Sequence, residues 1–390
     1  MTTSYYIWPN EVHFGYGAAA KVGACVKAEQ PAHVFVIADP GVIAANLIQS
    51  VIGSLKAEAV DFTLYSKVEP NPSSTSIDAA AAAYRTSGAD LIVAIGGGSG
   101  LDTAKAVRMV VAGPADASVS DYAYRKGDKA LPHPKHLPFF IAIPTTAGTG
   151  AEVTPWAVVT DPIEKTKFGV GGPRSVPSMA IIDPELMLTL PPFLTAATGM
   201  DALSHCIEAY VSKNDNPVLD EMILDGIRSI ARYLPVAVAQ GDHRPAREAM
   251  AHAAMIGGIA ISSKWLGACH SLAHQLSGFA NVQHGLANAI MLPHQMSYSV
   301  PGAIERYAAV AGALGVPADG NLRRRAELGI ESVIQLSRDC NLPLRLRDAN
   351  VSQEVIPAMA KAAYTVDLNW WTNPRTVNEQ VMEQLYRAAW

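Results

Sequence analysis

Cysteine is rare in this sequence, basic residues are not in surplus, and long apolar runs are missing. The four cysteines among 390 residues form no Cys-x-x-Cys pair, which predicts reduced thiols in a cytoplasmic protein rather than a disulfide scaffold. A formal net charge of −5 excludes the basic surface that nucleic-acid binding requires. No apolar run approaches the ~20 residues of a membrane-spanning helix, and the opening segment MTTSYYIWPN lacks the pattern of a signal peptide.

The chain is nevertheless rich in apolar residues and long enough for two domains. Hydrophobic residues make up 49% of the sequence and charged residues 17%, so sizeable cores can form. Strand-like runs become rare beyond residues 184–192. We therefore expect a dinucleotide-binding α/β domain over residues 1–187 and an all-helical metal-binding domain over residues 188–390. Helical periodicity is clearest in three C-terminal segments: 195–211, 218–234 and 247–261.

The N-terminal half alternates short apolar, β-branched runs with helical segments. Residues 33–39, 90–95 and 138–143 predict buried strands. Continuous apolar strands separated by helices are typical of a parallel sheet covered on both faces, so we predict a doubly wound α/β domain. Residues 156–160 and 167–170 predict a β-hairpin on this domain.

A glycine-rich loop joins the second of these strands to a helix over residues 101–111. Glycines at 96–98 would let the backbone approach a pyrophosphate, while the helix N-terminus offers free N–H groups and a positive dipole end. Three consecutive glycines favour phosphate binding over a simple tight turn, which one glycine would satisfy. Ser99 adds a hydroxyl donor, and Asp102 is placed to order the loop.

A second pattern, GYGAAA at residues 15–20, also fits the dinucleotide fingerprint, with Asp39 about twenty residues later. No convincing buried strand precedes it. We therefore interpret it as a structural turn that opens a helix.

Two further features lie at the expected carboxyl edge of the sheet. A carboxylate at Asp39 would accept hydrogen bonds from ribose hydroxyls and repel a 2′-phosphate, which favours NAD over NADP. An ordinary helix N-cap before Pro40 is the equal alternative. The hydroxyl-rich segment 144–154, PTTAGTGAEVT, would line a cofactor cleft or form only a polar turn.

Histidine is used sparingly, with 11 in the chain, so two helical pairs are informative. Asp201 and His205 are four residues apart, as are His270 and His274, and each pair shares one face of a predicted helix. His284 follows shortly afterwards. One such pair would suit hydrogen-bonded core residues, but a carboxylate with several imidazoles suits Fe²⁺ or Zn²⁺. The spacing predicts a metal site and leaves open which of the five residues are ligands.

Together these motifs resemble those of the iron-containing (group III) alcohol dehydrogenases. The matching segments follow one register along the chain: GGGSGLDTAK (96–105), PTTAGTGAEVT (144–154), GMDALSHCIEAY (199–210), HSLAHQLSGFANVQHGLANAIMLPH (270–294) and NPR (373–375). The sequence is more similar to the branch of lactaldehyde reductases and propanediol dehydrogenases than to glycerol dehydrogenases.

The resemblance implies a role for each candidate residue. The metal ligands would be Asp201, His205, His270 and His284, holding Fe²⁺, with Zn²⁺ as the alternative. His274 would be the catalytic residue beside the nicotinamide and relay a proton. The residues that bind NAD would be Asp39, Asn71, Gly97, Gly98, Ser99, Thr145, Thr146, Thr149 and Lys167. The substrate pocket would include Trp156, Ile261, Asn369 and Trp370.

The implied function is an NAD-dependent alcohol dehydrogenase or aldehyde reductase that transfers a hydride between NAD(H) and a primary alcohol or aldehyde. A zinc polyol dehydrogenase and a semialdehyde reductase are near alternatives, and a metallohydrolase is a more remote one. We expect a homodimer or larger homo-oligomer, a small-molecule substrate, and no nucleic-acid or membrane partner. Lys264 departs from the family pattern, and we expect it to be a solvated surface charge rather than a partner for an anionic substrate.

Overall fold

The computed structural model describes residues 6–7, 10–124, 130–164, 166–318 and 320–390, which form two compact units. The α/β unit consists of residues 10–146 and 151–189, and the helical unit consists of residues 190–390 with 6–7 and 147–150, within the described ranges. The opening segment, where we predicted no signal peptide, lies mostly outside the described residues.

The α/β unit is built on a six-stranded parallel sheet. The strands of the whole unit, including a separate hairpin, are β1 (Glu11–Phe14), β2 (Val34–Ala38), β3 (Phe62–Tyr65), β4 (Leu91–Gly96), β5 (Phe139–Pro144), β6 (Trp156–Asp161), β7 (Thr166–Gly171) and β8 (Met179–Ile182). The sheet order is β1-β8-β5-β4-β2-β3, with every pairing parallel, and β6 and β7 form a separate antiparallel hairpin. The helices of this unit are α1 (Val22–Ala28), α2 (Pro40–Ala44), α3 (Gln49–Ala57), α4 (Ser74–Ser87) and α5 (Gly98–Ala112).

Both faces of the sheet are buried, which explains why its central strands are continuously apolar. On β2, Phe35 and Ile37 join the core that contains α4 and α5, whereas Val34 and Val36 join the core on the other face with α1 and α3. Side chains alternate between faces along a strand, and burying each large apolar one stabilises the fold by about 1.5–3 kcal/mol. The predicted doubly wound α/β fold is confirmed.

The predicted strands and hairpin are all present, but three short strands were missed. Strands β1 and β3 lie at the two edges of the sheet and are partly exposed, so neither carries a continuous apolar run. Strand β8 is fully buried but only four residues long, which is too short for a periodicity signal.

The helical unit contains no strand among its described residues. Its α-helices are α6 (Pro192–Val211), α7 (Pro217–Ala239), α8 (Arg244–Lys264), α9 (Ala268–Ala280), α10 (His284–Ser299), α11 (Ile304–Ala313), α12 (Leu322–Asp339), α13 (Ile356–Thr365) and α14 (Glu379–Ala389). Helix α6 is buried on all sides from Thr195 onward, so it forms the centre of this unit. Within the described ranges, no helix is long and apolar enough to cross a membrane.

The expectation that Lys264 is a solvated surface charge was wrong. Its side chain is fully buried at the end of α8, and its ammonium lies 2.9 Å from Oδ1 of Asp220 in α7. The guanidinium of Arg306 contacts the same carboxylate oxygen at 2.8 Å. The partner carboxylate is 44 residues away in the chain, so only the helix packing reveals this ion pair.

Candidate metal centre and cofactor site

Three helices of the helical unit bring a carboxylate and imidazoles together. Asp201 of α6, His270 of α9 and His284 of α10 have ligand atoms that all lie within 4.8 Å of one another. Oδ1 of Asp201 is 3.6 Å from Nε2 of His270 and 3.5 Å from Nε2 of His284. His205, one turn after Asp201 on α6, has its Nε2 at 3.8 Å from the same oxygen and stacks on the His270 ring.

These separations fit a single divalent ion. Donor atoms about 2.1 Å from a tetrahedral ion lie roughly 3.4 Å from one another. The distances from Asp201 to the three imidazoles are 3.5, 3.6 and 3.8 Å, close to that value. One carboxylate with three imidazoles is also a donor set that suits Fe²⁺ and Zn²⁺. His205 lies outside the group whose ligand atoms are all within 4.8 Å of one another, so it is a candidate fourth ligand only through its 3.8 Å contact with Asp201.

Asp201, His205 and His270 are buried, and each affects the ionisation of its neighbours. Burial opposes ionisation of Asp201, yet the neighbouring imidazoles hold the pKa of its carboxyl group well below the ordinary value. Burial lowers the pKa of His205 to about 4, so this ring is neutral at physiological pH. Burial also disfavours the charged form of His270, but hydrogen bonds to Asp201 and Glu208 raise its pKa to about 9. Metal binding at His270 therefore requires release of a proton.

Glu208, which the sequence analysis missed, orients His270 by contacting Nδ1, the ring nitrogen opposite the one that faces Asp201. One carboxylate oxygen lies 2.5 Å from Nδ1 of His270, and the other accepts the backbone N–H of Cys269 at 2.7 Å in the first turn of α9. Once the ring has released its proton, a hydrogen bond at Nδ1 leaves Nε2 facing Asp201 with a lone pair for a metal ion. Its spacing offered a signal, because Asp201, His205 and Glu208 follow one another at four and three residues on α6.

Asn288, also missed, lies one turn after His284 on α10 and is fully buried. Its amide nitrogen is 2.7 Å from Oδ1 of Asp201, 3.0 Å from Nε2 of His270 and 3.2 Å from Nε2 of His284. The amide therefore contacts three of the four candidate ligands and helps to hold them in place.

His274 lies beside this cluster and contacts a different carboxylate. Its ring stacks on that of His284 with centroids 5.2 Å apart, and its Nδ1 is 2.6 Å from Oδ2 of Asp367. Burial opposes ionisation of Asp367, but His274 and further hydrogen bonds lower its pKa. Asp367 comes 93 residues after His274, and no sequence pattern pointed to it.

The glycine-rich loop of the α/β unit leads directly into the N-terminus of α5. Gly97 is the N-cap of α5 and makes no side-chain capping bond, and Gly98 is the first residue of the helix. The Ser99 hydroxyl accepts the backbone N–H of Asn71 at 3.3 Å, and the Asn71 amide oxygen accepts from the Lys167 ammonium at 2.8 Å. The structure thus links three predicted cofactor residues directly to one another.

Asp39 borders the same loop. Its Oδ1 accepts the backbone N–H of Val42 at 2.9 Å, so it caps α2. Its Oδ2 is so close to the loop that a β-carbon at Gly96 would lie 2.8 Å from it. The alternative of a helix N-cap is therefore present, and the second carboxylate oxygen borders the glycine-rich loop.

The predicted threonines fall into two groups. Thr145 donates its backbone N–H to the Gly96 carbonyl at 2.9 Å, and the Thr146 methyl carbon would lie 3.4 Å from a β-carbon at Gly97. Both therefore border the glycine-rich loop. Thr149 belongs to residues 147–150, which pack within the helical unit.

Asp102 does not order the loop as expected. Its Oδ2 accepts the backbone N–H of Val158 at 3.0 Å and so holds the β6–β7 hairpin against α5. Lys105, one turn further along α5, is buried and donates to the Thr154 hydroxyl and the Trp156 carbonyl, both at 2.8 Å.

In the second glycine pattern, at residues 15–20, backbone N–H groups bind a carboxylate of the protein itself. The backbone N–H groups of Gly17 and Ala19 donate to the Asp183 carboxylate at 3.1 and 3.0 Å. Strand β1 does end just before this turn, but it is a partly exposed edge strand. A 3-10 helix at Ala18–Lys21 and then α1 follow, so the interpretation as a structural turn is confirmed.

The expected substrate-pocket residues are distributed over both units. Trp156 begins β6 in the α/β unit, whereas Ile261 lies on α8 of the helical unit. Asn369 and Trp370 begin a 3-10 helix at Asn369–Thr372. The backbone N–H of Asn369 donates to the carboxylate of Asp367, which also holds His274.

Comparison with known proteins identifies relatives over the whole chain. The family model for iron-containing alcohol dehydrogenase matches residues 9–184, and that for the C-terminal part of the Fe-containing alcohol dehydrogenase family matches residues 195–390. The chain is 38% identical to 1,3-propanediol dehydrogenase of Citrobacter freundii, covering 98% of each chain. It is 36% identical to lactaldehyde reductase of Escherichia coli strain K12, covering 97% of each. A solved structure of a 1,3-propanediol oxidoreductase superposes with a TM-score of 0.94 at 37% identity, covering 100% of both chains.

These matches confirm the resemblance to propanediol dehydrogenases and lactaldehyde reductases. They also confirm the predicted enzyme class, an oxidoreductase that acts on alcohols and aldehydes. The protein belongs to the iron-containing alcohol dehydrogenase family.

Proposed function

We propose that this protein transfers a hydride between NAD(H) and a small primary alcohol or aldehyde with the help of a bound divalent metal ion. The observation that carries this proposal is the convergence of Asp201 with the imidazoles of His205, His270 and His284 at 3.5 to 3.8 Å in a buried site. We assign dinucleotide binding to residues 1–187 and metal binding to residues 188–390.

We propose that these four residues hold Fe²⁺, as the family name suggests, with Zn²⁺ as the alternative because both ions suit the donor set. When bound, the ion supplies Lewis acidity at the substrate oxygen, and the dinucleotide supplies or accepts the hydride. Asp201, His205 and His270 and their partners Glu208 and Asn288 are buried, whereas the side chain of His284 is 25% exposed.

The α/β unit would hold the dinucleotide. Gly97 and Gly98, with the N–H groups of the first turn of α5, would bind the pyrophosphate, and the Asp39 carboxylate would accept from the ribose hydroxyls. A negative charge at Asp39 favours NAD over NADP. The remaining proposed cofactor residues are Asn71, Ser99, Thr145, Thr146, Thr149 and Lys167.

His274 would transfer the proton that the substrate hydroxyl releases or gains. In alcohol oxidation it would accept the proton at Nε2 and pass it to solvent, and in aldehyde reduction it would return one. Asp367, 2.6 Å from Nδ1, stabilises the protonated ring. This arrangement needs no further acid or base among the metal ligands.

The substrate would be a small diol or hydroxyaldehyde, as the names of the relatives suggest. We propose Trp156, Ile261, Asn369 and Trp370 as pocket residues, with the indole rings limiting substrate size. The four cysteines are free thiols, which supports a cytoplasmic location. We also propose a homo-oligomer, which light scattering after gel filtration would test.

The proposal is tested by NADH oxidation at 340 nm across a panel of aldehydes that includes lactaldehyde and 3-hydroxypropionaldehyde. Protein stripped of metal is reconstituted anaerobically with Fe²⁺ or Zn²⁺. We expect no turnover without metal and restored turnover with at least one ion. Asp201→Asn, which keeps the size but removes the charge, should lose metal and activity together. Inactivity towards every aldehyde, in protein shown to bind metal and NADH, would refute the proposal.

A further inference from the structure

Asp367 is the centre of a buried hydrogen-bond cluster at the start of the 3-10 helix Asn369–Thr372. Its Oδ2 is 2.6 Å from Nδ1 of His274, while its Oδ1 accepts the Ser271 hydroxyl at 2.7 Å and the Asn369 backbone N–H at 2.8 Å. We infer that Asp367 is a positioning residue that sets the tautomer of His274. The inference rests on the proposed role of His274 in proton transfer.

The carboxylate determines which ring nitrogen carries the hydrogen. An ionised carboxylate can only accept hydrogen bonds, so Nδ1 of His274 must donate to it. A neutral imidazole with its hydrogen on Nδ1 has its lone pair on Nε2. Nε2 is then the atom that accepts a proton from an alcohol.

Two residues of helix α9 contact the two carboxylate oxygens of Asp367 separately. Ser271 and His274 are three residues apart on one face of this helix, and each contacts a different oxygen of Asp367. The backbone N–H of Asn369 adds a third hydrogen bond from the chain that follows Asp367. Rotating the carboxyl group would disturb all three hydrogen bonds, so the His274 ring is held in one orientation.

These hydrogen bonds predict how Asp367→Asn would change the tautomer of His274. The position of Oδ1 faces the backbone N–H of Asn369, which can only donate, so the amide oxygen of the variant must occupy it. The amide NH₂ then faces Nδ1 of His274 and requires a lone pair there. The hydrogen of the neutral His274 ring then moves to Nε2, so Nε2 can no longer accept a proton from an alcohol. The ring and its surroundings keep their size.

The tautomer is measured by ¹⁵N NMR of the imidazole rings in metal-free and Zn²⁺-loaded protein, with His274→Ala to assign the signal. We expect Nδ1–H in the wild type and Nε2–H in Asp367→Asn. Turnover of Asp367→Asn should fall by about 10²–10⁴-fold, the usual contribution of a general acid or base. KM and metal content should remain at wild-type values, and Asp367→Glu, which keeps a carboxylate, should recover part of the turnover.

Asp348→Asn, at an exposed position, is the matched control and should change neither the tautomer nor the turnover. Nδ1–H in Asp367→Asn, wild-type turnover in that variant, or loss of its metal would each overturn the inference. Wild-type turnover in His274→Ala would instead refute the proposed proton transfer. The NMR comparison would still decide whether Asp367 sets the tautomer.

Discussion

Glu208 lies 2.5 Å from Nδ1 of His270, and the exposed fractions of the two side chains are 0% and 1%. A carboxylate behind a histidine ligand fixes the ring and increases the basicity of the opposite nitrogen. The same carboxylate binds the backbone N–H of Cys269, so it also holds the first turn of α9. Glu208 therefore couples the position of a proposed metal ligand to the position of the helix that carries it.

Removing this support should weaken metal binding. We expect Glu208→Ala to lower metal affinity about 10–100-fold, as is typical for partners of metal ligands. Glu208→Gln should also weaken binding, because its single amide oxygen must accept the Cys269 backbone N–H and the amide NH₂ then faces Nδ1 of His270. Competition with a chromophoric chelator measures the affinity. Glu221→Gln, an exposed position on α7, is the control. Equal affinities in Glu208→Ala and the wild type would show that this contact does not support the site.

The sequence revealed the parts of the metal site that repeat with helical spacing. Asp201 and His205 share a helix face, and Glu208 lies on the same face at the next turn, so it was within reach of the same reasoning. Asn288 follows His284 by four residues in the same way. Asp367 could not be found by spacing, because its contact with His274 arises only when chain segments 93 residues apart pack together.

Cofactor preference should depend on the charge of Asp39. Asp39→Ser keeps a capping oxygen for α2 but removes the negative charge. We expect kcat/KM with NADPH relative to NADH to rise by at least about fivefold, since like charges near 4 Å cost about 1–4 kcal/mol. The same measurement on Asp61→Ser, an exposed carboxylate before β3, is the control. An unchanged preference in Asp39→Ser would remove Asp39 from the ribose site.

Lys264 should contribute to stability and not to substrate charge recognition. Lys264→Met leaves Asp220 paired only with Arg306, so we expect the free energy of unfolding to fall by about 1.5–3 kcal/mol, the usual contribution of a hydrogen bond to a charged group. Urea denaturation measures this loss, with the exposed Lys213→Met as the control. A selective rise of KM for anionic aldehydes would instead indicate that Lys264 meets the substrate.

The errors in the sequence analysis share a physical origin. Apolar runs predicted the central strands because both faces of those strands are buried, whereas the edge strands β1 and β3 bury less and carry no such signal. Lys264 was assigned to solvent because charged residues are usually exposed. Its burial depends on Asp220, a partner from another helix that no local pattern identifies.

Glu152 should make stability depend on pH. It is buried, and burial raises its pKa from 4.5 to about 7, with Lys105 offsetting only part of the shift. The folded state therefore binds this proton more tightly than the unfolded state does. The free energy of unfolding should fall as pH rises from 4.5 to about 7, because the folded protein must ionise a buried carboxyl group.

Glu152→Gln removes this titration and keeps the size of the side chain. At about pH 4 the variant and the wild type should be similarly stable, because the wild-type carboxyl group is then largely protonated in both the folded and the unfolded state. At about pH 8 the variant should be the more stable protein, by up to about 3 kcal/mol for a shift of this size. Urea denaturation at both pH values checks this, with the exposed Glu164→Gln as the control. If the stability difference between Glu152→Gln and the wild type is the same at both pH values, Glu152 does not titrate in this range in the folded protein.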